Sequence, residues 1–103
     1  MSKISDEDCG IRKAMNLVGS KWKVMLLRKM RRERMRYGDI KRLIPEISEK
    51  VLIQELKDLV KAGLMEKKSY PEIPPKVEYW LTDKGINSLP LLDSIVAFGE
   101  ANF

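Results

Sequence analysis

The sequence predicts a mainly helical α+β fold, and three observations support this prediction. Apolar residues recur at helical spacing from Ile11 to Val60, and Pro45 interrupts that pattern. After Gly63 the apolar period shortens to that of a strand, and from Leu92 to Phe103 it returns to helical spacing. Since no repeat or linker separates these segments, we expect a single domain over residues 1–103.

The first two helices are predicted from their apolar spacing and from the residues between them. Gly19 suits a helix C-terminus and Ser20 suits the next N-cap. The second helix should end near Arg32. Its inward residues are Trp22, Met25, Leu26 and Met30. Its basic residues are expected to face solvent; they are Lys21, Lys23, Arg28 and Lys29.

A helix-turn-helix is predicted over about residues 37–63. A short helix from Tyr37 to Leu43 cannot continue through Pro45, because a proline ring clashes with the preceding turn. Ser48 begins a longer helix, and Gly63 ends it in the left-handed conformation that glycine adopts cheaply. The core residues of this second helix are Leu52, Leu56, Leu59 and Val60. Two helices around a tight break form this motif.

A two-stranded β-hairpin follows over about residues 64–82, with LMEKKSY and VEYWLT as strands and the proline-rich PEIPPK as its tip. Thr82 or Asp83 then caps terminal helices over about 83–101. Pro90 is predicted at the first turn of a separate helix, because an interior proline costs about 3 kcal/mol. This apolar terminal region and the first helix are expected to pack against the same elements of a second copy, forming a homodimer.

Positive charge is concentrated between residues 21 and 42, the segment called the basic segment below. It holds ten basic side chains against two acidic ones, whereas the remaining residues are slightly acidic and the net charge is +5. The basic side chains are Lys21, Lys23, Arg28, Lys29, Arg31, Arg32, Arg34, Arg36, Lys41 and Arg42. This asymmetry indicates a polyanionic partner, although a solvated helix end would have the same composition.

Several functional classes are disfavoured by composition. With no histidine and one cysteine, Cys9, the chain lacks the usual imidazole base, a His-containing zinc site and an internal disulfide. We therefore expect no enzyme activity, no metal and no cofactor. No apolar stretch approaches the roughly 18 residues that span a bilayer, and MSKISDEDCG lacks the apolar core of a signal peptide. The expected location is cytoplasmic, with no membrane partner.

The order of elements is that of a winged helix-turn-helix, in which one helix enters the major groove of DNA and the hairpin tip reaches the minor groove. We therefore expect double-stranded DNA as the partner. The candidate DNA-binding residues are Arg36, Tyr37, Ser48, Lys50, Val51, Gln54, Lys57 and Lys76. Gln54 can pair bidentately with adenine, and Lys50 can donate to guanine. Taken alone, the same residues are also typical of a solvent-facing helix.

Four runs carry a family resemblance: VGSKW, RYGDI, IPEISEKVLIQELKDLVKAGL and YPEIPPKVEYWLTDKG. From Cys9 to Glu100 the chain resembles the HxlR-type family of bacterial winged helix-turn-helix transcriptional regulators, relatives of the MarR group. The resemblance implies a homodimer, built from the terminal helices, that binds a partly palindromic operator and represses or activates neighbouring genes. It also implies a cysteine just before the first helix, and several family members respond through it to oxidants or electrophiles.

The sequence leaves two questions open, the role of Cys9 and the kind of partner. Cys9 is the redox-sensing candidate, with a small oxidant or electrophile as effector, but a small apolar side chain at the dimer interface would suit the same position. Glu49 and Glu55 interrupt the expected polar or basic surface of the second motif helix. They favour a second interpretation, a winged-helix module for protein–protein interaction without specific DNA binding.

Overall fold

The computed structural model describes residues 5–103 and confirms the mainly helical winged helix-turn-helix fold. The described residues form five α-helices and one three-stranded antiparallel sheet. In chain order the elements are α1 (Asp6–Val18), α2 (Lys21–Met30), β1 (Met35–Arg36), α3 (Tyr37–Leu43), α4 (Glu49–Lys61), β2 (Met65–Tyr70), β3 (Lys76–Leu81) and α5 (Asp83–Asn102). We call α4 the reading helix, and we call β2, β3 and the segment 71–75 between them the wing.

Short polar side chains begin these helices, as the sequence predicts. Ser20 accepts the backbone N–H of Lys23, Ser48 accepts that of Val51, and Thr82 accepts that of Gly85. Each bond satisfies one of the backbone donors that a helix N-terminus leaves without a partner. Gly63 has a φ of +78°, which confirms the left-handed termination of the reading helix.

The core lies among α2, the two helices of the helix-turn-helix and the first half of α5. Its side chains are almost all aliphatic, and α2 supplies three that are completely buried, Leu26, Leu27 and Met30. The other buried apolar residues are Ile40, Ile44, Ile47, Leu52, Leu56, Leu59, Leu64, Met65, Leu81, Leu89 and Leu92. No residue of α1 is buried, so this helix contributes only a partly covered surface to the single chain.

The sheet differs from the predicted two-stranded hairpin by one short strand. Its order is β1-β3-β2, and the two residues of β1 pair with β3, Met35 opposite Tyr79 and Arg36 opposite Glu78. A two-residue strand has no apolar period of its own, so the sequence pattern could not reveal it. Because β1 leads directly into α3, it ties the start of the helix-turn-helix to the wing.

Two predicted helix boundaries are wrong. The second helix ends at Met30 and not near Arg32, because Arg31 has a φ of +48° and leaves the helical region. Pro90 does not begin a separate helix but lies inside the 20-residue α5. Leu89 and Leu92 on either side of it are buried, and their burial offsets the missing hydrogen bond to the Ile86 carbonyl.

Helix α5 is the longest helix of residues 5–103. Neither α5 nor any other helix of this part of the chain combines the length and apolar character needed to cross a membrane.

We predict that Gly85→Ala destabilises the fold. A Cβ at Gly85 would lie 2.2 Å from the carbonyl oxygen of Leu64 and 3.1 Å from the Cβ of Leu81, and the first of these atoms is backbone that cannot move aside. We expect a loss of about 2 kcal/mol in the free energy of unfolding, measured by urea denaturation. Gly10→Ala is the control, because a Cβ there meets nothing within 4 Å. Equal stability of the two variants would contradict this close packing of α5.

Candidate nucleic-acid interface

The turn between α3 and the reading helix is closed by a lysine. Lys41 donates from Nζ to the backbone carbonyls of Pro45, at 2.8 Å, and of Ile47, at 2.6 Å. These carbonyls follow a helix end and have no helical partner, so the ammonium satisfies them. Ser48 then caps the reading helix. Lys41 therefore orients the two motif helices relative to each other, and its charge is engaged within the chain.

Five of the predicted contact residues lie together along the exposed side of the reading helix. They are Ser48, Lys50, Val51, Gln54 and Lys57, all exposed. Positions three and four apart share a helix face, so the structure brings these side chains onto one surface, opposite the buried leucines. Gln54 donates from Nε2 to Asp58 Oδ1 at 2.9 Å, which orients its carboxamide along the helix axis.

One of the two glutamates in the reading helix does not belong to this surface. Glu55 turns toward α2, where its Oε2 lies 3.0 Å from Lys23 Nζ and accepts a hydrogen bond from Ser20 Oγ at 3.2 Å. The expectation that Lys23 faces solvent is therefore wrong, since its side chain is only 18% exposed and also lies 3.5 Å from Asp58. Glu49 remains exposed at the first turn of the helix.

Tyr37 and Arg36 stand at the start of α3 but differ in what they present. Arg36 is exposed, and its backbone N–H donates to Asp39 Oδ2 at 3.3 Å. The Tyr37 ring is half-buried, and its hydroxyl is buried without a hydrogen-bond partner among the described residues. Burial raises the pKa of Tyr37, and the nearby Glu49 carboxylate raises it further. Tyr37 therefore packs beneath the surface that carries Arg36.

Much of the positive charge in the basic segment is engaged inside the chain. Arg28 and Arg31 both donate to Asp93 of α5, and Arg42 donates to Asp39. The hydrogen bond from Arg42, together with that from the Arg36 backbone, holds the pKa of Asp39 below its usual value.

Two further cations of this segment stack on aromatic rings. The guanidinium of Arg34 lies 4.1 Å from the centre of the Trp80 ring, and the ammonium of Lys21 lies 4.5 Å from that of Trp22. Both side chains are exposed and keep their charge, because an aromatic ring has no net charge. The surplus of positive charge is therefore reduced by the ion pairs with carboxylates and not by these two contacts.

The predicted cation of the wing, Lys76, is the first residue of β3 and lies next to the tip, opposite Tyr70. Lys76 lies 4.7 Å from the centre of the Tyr70 ring and 4.0 Å from Glu78 Oε2, and its side chain is 22% exposed. Tyr70 donates from its hydroxyl to Glu78 Oε1 at 2.8 Å. This bond, with the neighbouring cations, lowers the pKa of Glu78. The tip itself presents Ile73, which is completely exposed and which the sequence pattern did not single out.

Cys9 is the fourth residue of α1, so the expectation that it precedes the first helix is wrong. Its side chain is half-buried and forms no disulfide. The first turn that contains it is acidic, with Asp6, Glu7 and Asp8, and Ser5 provides the N-cap. Among residues 5–103, no group of three or more histidine, cysteine, aspartate or glutamate side chains is arranged to hold a metal ion.

Two helices expose apolar side chains on the single chain. Ile11 and Met15 of α1 are each 53% exposed. The second half of α5 exposes Leu91, Ile95 and Phe98, and the chain ends in the exposed Phe103. The rings of Phe98 and Phe103 meet edge to face with their centres 6.3 Å apart. We call these side chains of α1 and α5 the terminal apolar surface.

The fold agrees with the proteins that the chain resembles. The family model for the HxlR-like helix-turn-helix matches residues 17–103. An HTH-type transcriptional regulator of Methanothermobacter thermautotrophicus is 38% identical over 92 residues, which cover 89% of this chain and 70% of that protein. The crystal structure of a transcriptional regulator of the MarR family from Porphyromonas gingivalis is 50% identical, with a TM-score of 0.85, and the match covers 99% of this chain and all of that one.

A redox regulator is also among the similar structures. HypR in its oxidized form is 30% identical with a TM-score of 0.81, and the match covers 92% of this chain and 98% of that one. A family match over most of the chain, relatives at this level of identity and the winged helix-turn-helix geometry lead to one assignment. The chain belongs to the HxlR-like helix-turn-helix family of transcriptional regulators.

Proposed function

We propose that the protein regulates transcription as a homodimer on a partly palindromic operator, with the reading helix in the major groove and the wing at the adjacent minor groove. The observation that carries this proposal is the division of the reading helix into two sides. Leu52, Leu56 and Leu59 are buried, whereas Lys50 and Gln54 are exposed on the other side. An exposed polar and basic helix face opposite a buried apolar one is suited to a groove.

The contact residues divide by chemistry. Gln54 and Lys50 carry the donors that read base edges, and Val51 offers an apolar contact to a thymine methyl group. The phosphate contacts are assigned to Arg36, Ser48, Lys57 and Lys76. Tyr37 acts through packing, because its hydroxyl is buried. Repression and activation are both compatible with this assignment.

The terminal apolar surface supports the homodimer. A small chain rarely leaves several large apolar side chains together in water unless they form an interface. In addition, α1 has no buried residue of its own, so its apolar side has little to cover within the chain. A two-fold dimer joins identical patches, and a patch built from α1 and α5 would be covered by its own copy.

A module for protein–protein interaction is the competing function. Its main support in the sequence is the pair of glutamates in the reading helix. Glu55 is bound to Lys23 and Ser20 on the inner side, so only Glu49 still supports this alternative. Salt dependence separates the two functions, because a DNA-binding protein releases counterions on binding and a protein-contact module has little affinity for duplex at any salt concentration.

We predict that the protein binds duplex DNA with an affinity that falls steeply as salt rises. Lys57→Ala should weaken all duplexes alike and lower the slope of log affinity against log salt by about 1. Gln54→Ala should instead cost about 1 to 3 kcal/mol at a selected site and little on random duplex. Fluorescence anisotropy over a range of salt concentrations measures both effects. No complex at low ionic strength would refute DNA binding, and equal losses for Gln54→Ala on the two duplexes would refute base reading.

We predict that Phe98→Glu converts the dimer to a folded monomer. A carboxylate in the terminal apolar surface would be desolvated on association, whereas the aliphatic core stays intact because Phe98 is 63% exposed. Sedimentation at micromolar concentration should show one chain in place of two. The matched control is Ile73→Glu at the wing tip, which makes the same kind of change away from this surface. A monomeric wild type, or a dimeric Phe98→Glu variant, would refute the proposed interface.

We further propose that Cys9 makes DNA binding sensitive to oxidants or electrophiles. Cys9 is partly covered and belongs to α1, the helix that also carries Ile11 and Met15, and a redox regulator is among the similar structures. Diamide should change the DNA affinity of the wild type but leave Cys9→Ser unaffected. Since the described chain has no second cysteine, any disulfide would join two chains or a chain and a small thiol. Identical responses of the two proteins would refute this role.

A further inference from the structure

The junction between α2 and α5 holds a charged cluster outside the DNA-facing surface. Asp93 Oδ1 accepts hydrogen bonds from Arg28 Nε at 2.8 Å and from the Arg31 guanidinium at 2.7 Å. Two guanidinium donors lower the pKa of the Asp93 carboxyl, so the group stays ionised at neutral pH. All three side chains are partly exposed, and ion pairs of this kind contribute little to overall stability. We therefore consider how this cluster affects the relative orientation of α2 and α5.

Helix α5 has its weakest point just before this cluster. Pro90 has no N–H to donate to the Ile86 carbonyl, and its ring crowds the same group. Ser94 donates from Oγ to the Pro90 carbonyl at 2.9 Å, and Ser88 donates to the Gly85 carbonyl at 2.6 Å. Such serine bonds and interior prolines are where helices bend. The part of α5 beyond Pro90 can therefore change its angle unless another contact holds it.

Asp93 provides the polar contact that holds this part of the helix. Leu92 is the last fully buried residue of α5, and the large side chains Ile95, Phe98 and Phe103 that follow are exposed. The segment from Asp93 to the chain end spans about 15 Å at the rise of an α-helix, and it carries half of the terminal apolar surface. The contact of Asp93 with the two arginines therefore lies where this segment begins.

The backbone at Arg31 indicates that its side chain is needed at this place. Arg31 is the only residue other than glycine with a positive φ among residues 5–103, at +48° with a ψ of −118°. Side chains are strained in this region and glycine is not. Strained residues persist where the surrounding contacts require them. The bond to Asp93 is the side-chain contact that Arg31 makes.

We propose that Asp93, through Arg28 and Arg31, fixes the angle between the helix-turn-helix and the second half of α5, and so sets the half-site spacing that the dimer accepts. The proposal rests on the proposed function. A change of about 10° at a distance of roughly 20 Å moves a reading helix by about 3 Å, close to the rise of one base pair. In the two-fold dimer both reading helices are displaced in this way. Asp93 is thus a positioning residue that touches no base.

The test measures spacing preference and not affinity alone. An operator is selected from a random duplex pool with the wild-type protein, and one or two base pairs are inserted or removed between its half-sites. The wild type should prefer the selected spacing by about tenfold or more over its neighbours, and Asp93→Asn should reduce this ratio to about threefold. Because the substitution removes a negative charge, affinity for every duplex should rise, so the ratio between spacings is the diagnostic quantity.

Two further variants complete the design. Arg31→Gly removes one donor and suits the positive φ, so it should fold readily and also relax the preference; it decides the outcome if Asp93→Asn does not fold. Asp83→Asn, an exposed site on the same helix, makes the same charge change and should leave the ratio as in the wild type.

An unchanged ratio in the folded, dimeric variants would overturn the role of Asp93. Equal relaxation by Asp83→Asn would do the same, and so would a wild type without any spacing preference. A wild type that binds no duplex would instead overturn the proposed function.

Discussion

The burial of α2 is the constraint on which the rest of the structure depends. Leu26, Leu27 and Met30 are completely enclosed, and the elements that enclose them include the helix-turn-helix and the first half of α5. Burying three side chains of this size contributes several kcal/mol, about 1.5 to 3 kcal/mol each, which is comparable to the whole stability of a small domain. The reading helix is therefore held against the core by its buried leucines, and its exposed side chains do not belong to that core. That division allows exposed residues to vary in chemistry without loss of the fold.

Charged groups join the elements where apolar contact is incomplete. Lys23 lies between α2 and the reading helix with Glu55, and Asp93 lies between α5 and α2 with its two arginines. Sequence composition counts these cations as surface charge, although each is committed to an internal partner. Attraction to a polyanion must therefore come from the smaller set of exposed cations, of which Lys50 and Lys57 lie on the reading helix. A small number of exposed positive charges at defined positions favours one orientation of the protein on the duplex over binding in many orientations.

Features governed by local chemistry could be predicted from the sequence. Ser20, Ser48 and Thr82 cap their helices because short polar side chains satisfy free backbone donors, and Gly63 takes the positive φ that its lack of a Cβ allows. The exposed side chains of the reading helix can also be predicted, because its apolar residues recur at helical spacing. Features decided by distant partners could not be predicted. The pairing of Lys23 with Glu55 depends on how two helices cross, and the continuity of α5 through Pro90 depends on core burial around it.

The two halves of α5 link folding to assembly. Gly85, Leu89 and Leu92 belong to the core of one chain, so the first half is ordered whenever the domain is folded. The second half exposes large apolar side chains, and the proposed dimer would bury them against a second copy. Ligands that bind the paired form stabilise it by mass action, and the proposed operator would be such a ligand. Operator binding and dimerisation should consequently reinforce each other. The angle at which the helix leaves the core then decides whether two correctly folded domains can occupy both half-sites at once.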